Sequence, residues 1–132
     1  MSMESKKDLN SLLVSQEAIA TDLVAAALHG LVSIVKETGE VIPSAAFNKL
    51  DNNRRIVTYL LALRACALLG LGKGNVAASA EEIADVVGLD AQRVRELLSR
   101  MKGTLLHKTA DGWVLPATRI PAGCEEIIKK RK

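Results

Sequence analysis

The chain has 132 residues, 48% of them hydrophobic and 25% charged, with a formal net charge of +3. That composition excludes a largely disordered chain and describes one ordinary folded domain, or one domain with an appendage. So small a net charge neither requires nor excludes a polyanionic partner, and the distribution of charge carries more information than its sum. Phe47, Tyr59 and Trp113 are the only aromatic residues, so the core must be built from Leu, Val, Ile and Ala, which suits close helix packing. Cys66 and Cys124 have no CxxC spacing and no histidine cluster beside them. Neither a disulfide framework nor a zinc site is indicated, and a reducing, cytoplasmic setting is expected. The polar start MSMESKKDLN lacks a signal peptide's apolar stretch, and the most apolar runs are too short to span a bilayer, so no membrane partner is expected.

In chain order, residues 9–36 read as one long helix, with Leu9, Leu12, Leu13, Ile19, Leu23, Val24, Ala27, Leu31, Ile34 and Val35 at spacings near three and four. Within it LVAAALHGLVSIV, Leu23 to Val35, carries no charge on any face, which a lone surface helix does not tolerate. Pro43-Ser44 opens a short turn or helix through AAFNKL, and Asp51, Asn52 and Asn53 are all capable caps for the next helix. That second helix is expected from Arg54 to Leu69. It is apolar nearly all round, with only Arg54, Arg55, Thr58 and Arg64 for solvent. Two such helices exceed what one small module buries, which predicts a homodimer through residues 1–53 and this helix; the alternative is a single chain with a helix at its centre. GLGKGN, Gly70 to Asn75, lacks the GxxxxGK[ST] spacing of a phosphate cradle and reads as a helix end with a flexible link.

Ser79-Ala80-Glu81-Glu82 fits a capping box, so a short helix starts at Ser79 and stops near Gly88, which suits a sharp turn. Asp90 caps the next helix, whose inner stripe is Val94, Leu97, Leu98 and Met101. After Lys102-Gly103 the period changes: LLHKT, the turn Ala110-Asp111-Gly112 and WVLP read as a hairpin with Asp-Gly at its tip. The closing KKRK, Lys129 to Lys132, reads either as a disordered basic tail or as a helix end with favourably placed cations.

The stretch SAEEIADVVGLDAQRVRELLSRM, together with the hairpin after it, resembles the winged helix-turn-helix superfamily. The resemblance covers Arg54 to about Arg119. It implies a winged helix-turn-helix domain with a small β-hairpin wing and duplex DNA as partner; residues 1–53 resemble no family, and with the N-terminal long helix read there from periodicity the expected fold is mainly α. The chain then divides into an N-terminal helical dimerisation region (1–53), the winged domain (54–120) and a basic tail (121–132). The tip, with Asp111 and only Lys108 beside it, departs from more basic wings.

A helix of this width fits the major groove, where arginines pair with guanine edges or neutralise phosphates. Gln92, Arg93 and Ser99 are candidates for base edges, and Arg95, Arg100, Lys102 and Lys108 for phosphates, with roles that can exchange. Glu96 either accepts from cytosine or holds Arg93 or Arg100 in a helix-spaced ion pair. From Gly88 onward there are ten Lys and Arg against five Asp and Glu, whereas residues 1–87 have eight against ten. No catalytic constellation, metal site, cofactor motif or small-molecule ligand is marked: His29, read as packed or at an interface, and His107, read as an exposed strand residue, are far apart, and neither HExxH nor GxSxG occurs. The expected function is a DNA-binding, homodimeric transcription regulator, and the alternative is a winged-helix module that binds another protein.

Overall fold

The computed structural model describes residues 16–70 and 76–129. In chain order these form α1 (Gln16–Leu28), a hairpin of β1 (Val32–Ile34) and β2 (Val41–Pro43), the single turn α2 (Ala45–Asn48), α3 (Asn52–Leu68), α4 (Ala80–Val87), α5 (Ala91–Met101), a second hairpin of β3 (His107–Thr109) and β4 (Gly112–Val114), a 3-10 turn at Ala117–Arg119, and α6 (Ile120–Lys129). The described chain is mainly helical, with two small antiparallel two-stranded sheets. The order expected from residue 54 onward, helix, helix, turn, helix and hairpin, is present.

The long helix expected over 9–36 is not formed. Residues 9–15 lie outside the described residues, and α1 ends at Leu28 because Gly30 takes a left-handed φ of 82° that breaks the helical path. Beyond it Val32, Ile34 and Val35 are β-branched and alternate with Ser33, which favours a strand. Register pairs Ser33 with Ile42 and Ile34 with Val41; Val32, Ile34 and Val41 pack on the core while Ser33 and Ile42 face out. The hairpin is fastened to the helix end by Ser44, whose amide donates to the Leu31 carbonyl (2.9 Å) and whose hydroxyl donates to the Gly30 carbonyl (2.7 Å). Apolar residues at 31, 34 and 35 satisfy a helical stripe and a strand almost equally, which is why periodicity misleads here. The uncharged run is therefore split between a helix and a hairpin. Where the uncharged run lies on α1, Val24, Ala27 and Leu28 are buried, and the exposed positions are the small Ala25 and Ala26.

Helix α3 starts at Asp51, whose carboxylate accepts from the Arg54 amide (3.0 Å). It is covered by α1, α4, α6 and β2 of the same chain, with Ile56, Val57, Leu60 and Leu61 fully buried. The side chains assigned to solvent are turned inward or across the core surface. Arg54, 5% exposed, donates through Nε to the Glu126 carbonyl and through a terminal nitrogen to the Glu126 carboxylate (both 2.9 Å), and it pairs with Asp51. Arg55 donates to the Val87 carbonyl and Arg64 to the Leu115 carbonyl, each at 2.8 Å. Val87 ends α4, where helix carbonyls lack internal partners. Thr58 is wholly buried, and its hydroxyl has no partner among the described residues. One chain thus covers α3 by itself, and the dimer expected from its apolar surface loses that ground.

The helices α4 and α5 form as their local signals require. The Ser79 and Glu82 capping box is complete, Gly88 turns the chain at φ 76°, and the Asp90 carboxylate accepts from the Arg93 amide (2.9 Å). Val94, Leu97, Leu98 and Met101 are buried. In the second hairpin the turn residues are Ala110 and Asp111, and Gly112 pairs with Thr109 instead of sitting at the tip. Ala78 continues this sheet beside β4 through reciprocal bonds with Trp113 (3.0 and 2.8 Å). A side chain at Gly112 would lie 2.6 Å from the Ala78 oxygen. The region read as a tail is mostly helix: residues 120–129 form α6, whose Ile120, Cys124 and Ile127 join the same core as Val24 and Leu60. The apolar spacing 120, 124, 127 explains it. Residues 71–75 of the glycine-rich link and 130–132 of the basic end lie outside the described residues.

Arg54→Ala leaves the Glu126 carbonyl and two carboxylates without their cation. Because both carboxylates are about half exposed and regain water, the cost comes mainly from the lost carbonyl bond and packing, and the unfolding free energy is expected to fall by about 1–3 kcal/mol, read from urea denaturation followed by circular dichroism. A loss below about 1 kcal/mol contradicts this role.

Candidate functional site

Capping at Asp90 and burial of the Val94, Leu97, Leu98 and Met101 stripe leave Gln92, Arg93, Arg95, Glu96, Ser99 and Arg100 exposed on α5. Lys102 is exposed immediately after the helix, and Lys108 is exposed on β3. All seven residues named from the sequence are therefore accessible. The structure gathers only three of them tightly: Arg95, Ser99 and Lys108 line one groove of about 410 Å³ between α5, the start of α4 and the second hairpin. Gln92, Arg93, Arg100 and Lys102 are not in that groove.

The electrostatics are mixed. Arg93 pairs with Glu96 at 3.3 Å, one helical turn along, so Glu96 acts as the ion-pair partner among the two roles open to it. Arg95 pairs with Glu81 across the α4–α5 junction. The Glu81 carboxyl lies below its ordinary value because it accepts from its own backbone amide and from Arg95. Lys108 and Trp113 are cross-strand partners, and the Lys108 ammonium sits 5.6 Å from the centre of the indole ring. Asp111, at the hairpin turn, lines the groove as well.

Two of these pairings are absent from the sequence reading. Nothing in the spacing of Glu81 and Arg95 announces their contact, because it depends on how α4 crosses α5. The Lys108–Trp113 pair depends on the register in which Ala110 and Asp111 form the turn, and the Asp-Gly tip expected from the sequence sets a different one.

Elsewhere, His107 is an exposed strand residue, as expected from the sequence, whereas His29 is exposed in the turn after α1 and not packed in a helix. Among the described residues no cluster of three or more His, Cys, Asp or Glu is placed to hold a metal ion, and no helix is long and apolar enough to cross a membrane. A second groove, apolar and about 500 Å³, lies between the end of α1, β1 and the end of α3, bordered by the exposed Leu69. Comparison with protein-family models, with curated proteins and with solved structures finds no match.

Both cysteines are free and buried. Burial pushes the Cys66 thiol up and the Cys124 thiol up to about 11, from an ordinary value of 9.0, and burial raises Tyr59 in the same direction. These groups are neutral in the folded chain where the unfolded chain has begun to ionise. Their stabilisation is complete below the unfolded value and is lost as pH rises through the folded one. The melting temperature is expected to fall between about pH 9 and 11, less steeply in Cys124→Ala than in the parent chain. An identical slope in the two proteins overturns the assignment to Cys124.

Proposed function

We propose that the chain is a DNA-binding protein of the winged helix-turn-helix kind, a transcription regulator that places α5 in the major groove. The single observation that carries this is the exposed face of α5, where Gln92, Arg93, Arg95, Ser99 and Arg100 stand clear of a fully apolar inner stripe, with Lys108 on the flanking hairpin. On this reading Gln92, Arg93 and Ser99 meet base edges, while Arg95, Arg100, Lys102 and Lys108 meet phosphates. The β3–β4 hairpin is the wing, with Ala78 as the short third strand beside it. Lys108, seated on Trp113, suits a backbone contact better than insertion into a groove.

A second reading, a protein-binding module, is favoured by one feature: Arg93 and Arg95 already have carboxylate partners, so the α5 face is an ordered array of both signs. Salt separates the readings. A duplex-binding face that neutralises several phosphates loses affinity steeply with salt, whereas an interface with an apolar centre does not. Fluorescence anisotropy with labelled duplex DNA is expected to show salt-dependent binding that the Arg93→Ala, Arg95→Ala double variant weakens by about tenfold or more, one base-edge and one phosphate contact being lost. Absence of binding at low salt, or indifference to the double variant, overturns the proposal.

The homodimer belongs to this proposal on narrower grounds than the sequence suggested, because α3 is covered within one chain. Its remaining support is the apolar groove bordered by Leu69, 59% exposed, and the separately exposed Ile42 at 48%. Light scattering at micromolar concentration is expected to report about twice 14.1 kDa. A mass of one chain removes the dimer and leaves the α5 reading intact.

A further inference from the structure

We propose that Glu81 is an internal competitor for Arg95, so that a nucleic-acid phosphate binds this groove by exchanging one anionic partner of Arg95 for another. The inference rests on the DNA-binding reading above and adds the residue that regulates it. Three observations carry it. The ion pair joins two elements, the first turn of α4 and the middle of α5, instead of lying along one helix as Arg93 and Glu96 do. Both its side chains are half exposed or nearly so, at 49% for Arg95 and 62% for Glu81, so an incoming anion can reach the guanidinium. The pair also lies within the groove that brings Ser99 and Lys108 beside Arg95, which is where the hairpin and α5 together can grip a phosphate.

The sign of the effect follows from charge. With Glu81 present, a phosphate entering the groove meets a neutralised Arg95 and a carboxylate that must be left without its cation. Its release of counterions from the nucleic acid is offset when Glu81 gains one. With a neutral amide at position 81, Arg95 is available at once and the repulsion is gone. Exposed ion pairs contribute little to stability, so losing this one does not threaten the fold. The reciprocal Ser79 and Glu82 contacts that cap α4 do not use the Glu81 carboxylate, and the amide of Glu81→Gln can still accept from the Ser79 hydroxyl that Glu81 also engages. Asp85 is exposed one turn further along α4 and provides the control: it carries the same charge on the same helix and is not among the residues lining the groove.

The test is Glu81→Gln against the parent chain and Asp85→Asn, each titrated into labelled duplex DNA over a range of salt, with thermal melting confirming the fold. Glu81→Gln is expected to bind roughly threefold or more tightly at low salt. Its plot of log affinity against log salt should be steeper by about 0.9, one further phosphate neutralised. The Asp85→Asn gain should be less than half as large. Parent chain and Glu81→Gln binding equally, Glu81→Gln binding more weakly, or Asp85→Asn matching it overturns the competition while leaving the DNA reading in place. No binding by either the parent chain or Glu81→Gln at low salt overturns the DNA reading, and the competition with it.

Discussion

Every other part of the fold depends on the burial of α3. A helix that is apolar on nearly all sides has to be covered, and here α1, α4, α6 and β2 of the same chain cover it. Aliphatic packing is close but non-directional, so by itself it favours a set of crossing angles and not one register. Its three arginines supply the register: each guanidinium reaches a backbone carbonyl on a different element, at Glu126 on α6, Val87 at the end of α4, and Leu115 after β4. Arginine suits this task because its donors are planar, rigidly spaced and permanently charged. The hydrogen bonds it makes to carbonyls, some of them left open by helix ends, offset the desolvation of the charge.

That arrangement has a direct consequence for the candidate site. Arg55 holds the end of α4, the turn at Gly88 comes at once, and α5 then sets out with one face against the core and the other bare. Arg64, by holding Leu115, fixes the strand that carries Trp113, and with it the lysine seated on that ring. The exposed basic residues of α5 and the hairpin are therefore carried by elements fastened to α3. Their cations are not left idle: Glu96, Glu81 and the Trp113 ring hold Arg93, Arg95 and Lys108 in place, and on the proposed reading binding by α5 depends on how readily those partners are given up.

The stretch from Ser79 to Met101 is legible in the sequence because its signals are local. Ser79 with Glu82, Gly88, Asp90 and the 94, 97, 98, 101 stripe each act within one or two turns, and each is found as expected. The first half is legible only in part, for two physical reasons, although its second helix and the Asp51 cap are found as expected. The run from Leu31 to Val35 fits a helical period and an alternating one about equally, and a single glycine in a left-handed conformation decides between them. The polarity of Arg54, Arg55 and Thr58 implies solvent, yet Arg54 has its partners on Glu126, 72 residues away, which no local pattern encodes. The same cause hides the contact of Glu81 with Arg95: it arises from the crossing of two helices. The basic character of the last residues suggests a tail, while the apolar spacing of Ile120, Cys124 and Ile127 records the helix that is there.

The most direct test is to map, residue by residue, where duplex DNA touches the folded chain, by following backbone amide chemical shifts as DNA is added at low salt. The largest changes are expected on α5 and the second hairpin, at Gln92, Arg93, Ser99, Arg100, Lys102 and Lys108, with a smaller response at Glu81 as Arg95 changes partner. Changes gathered instead around α1, β1 and the end of α3, or no changes at any DNA concentration, would contradict a DNA-binding role for α5.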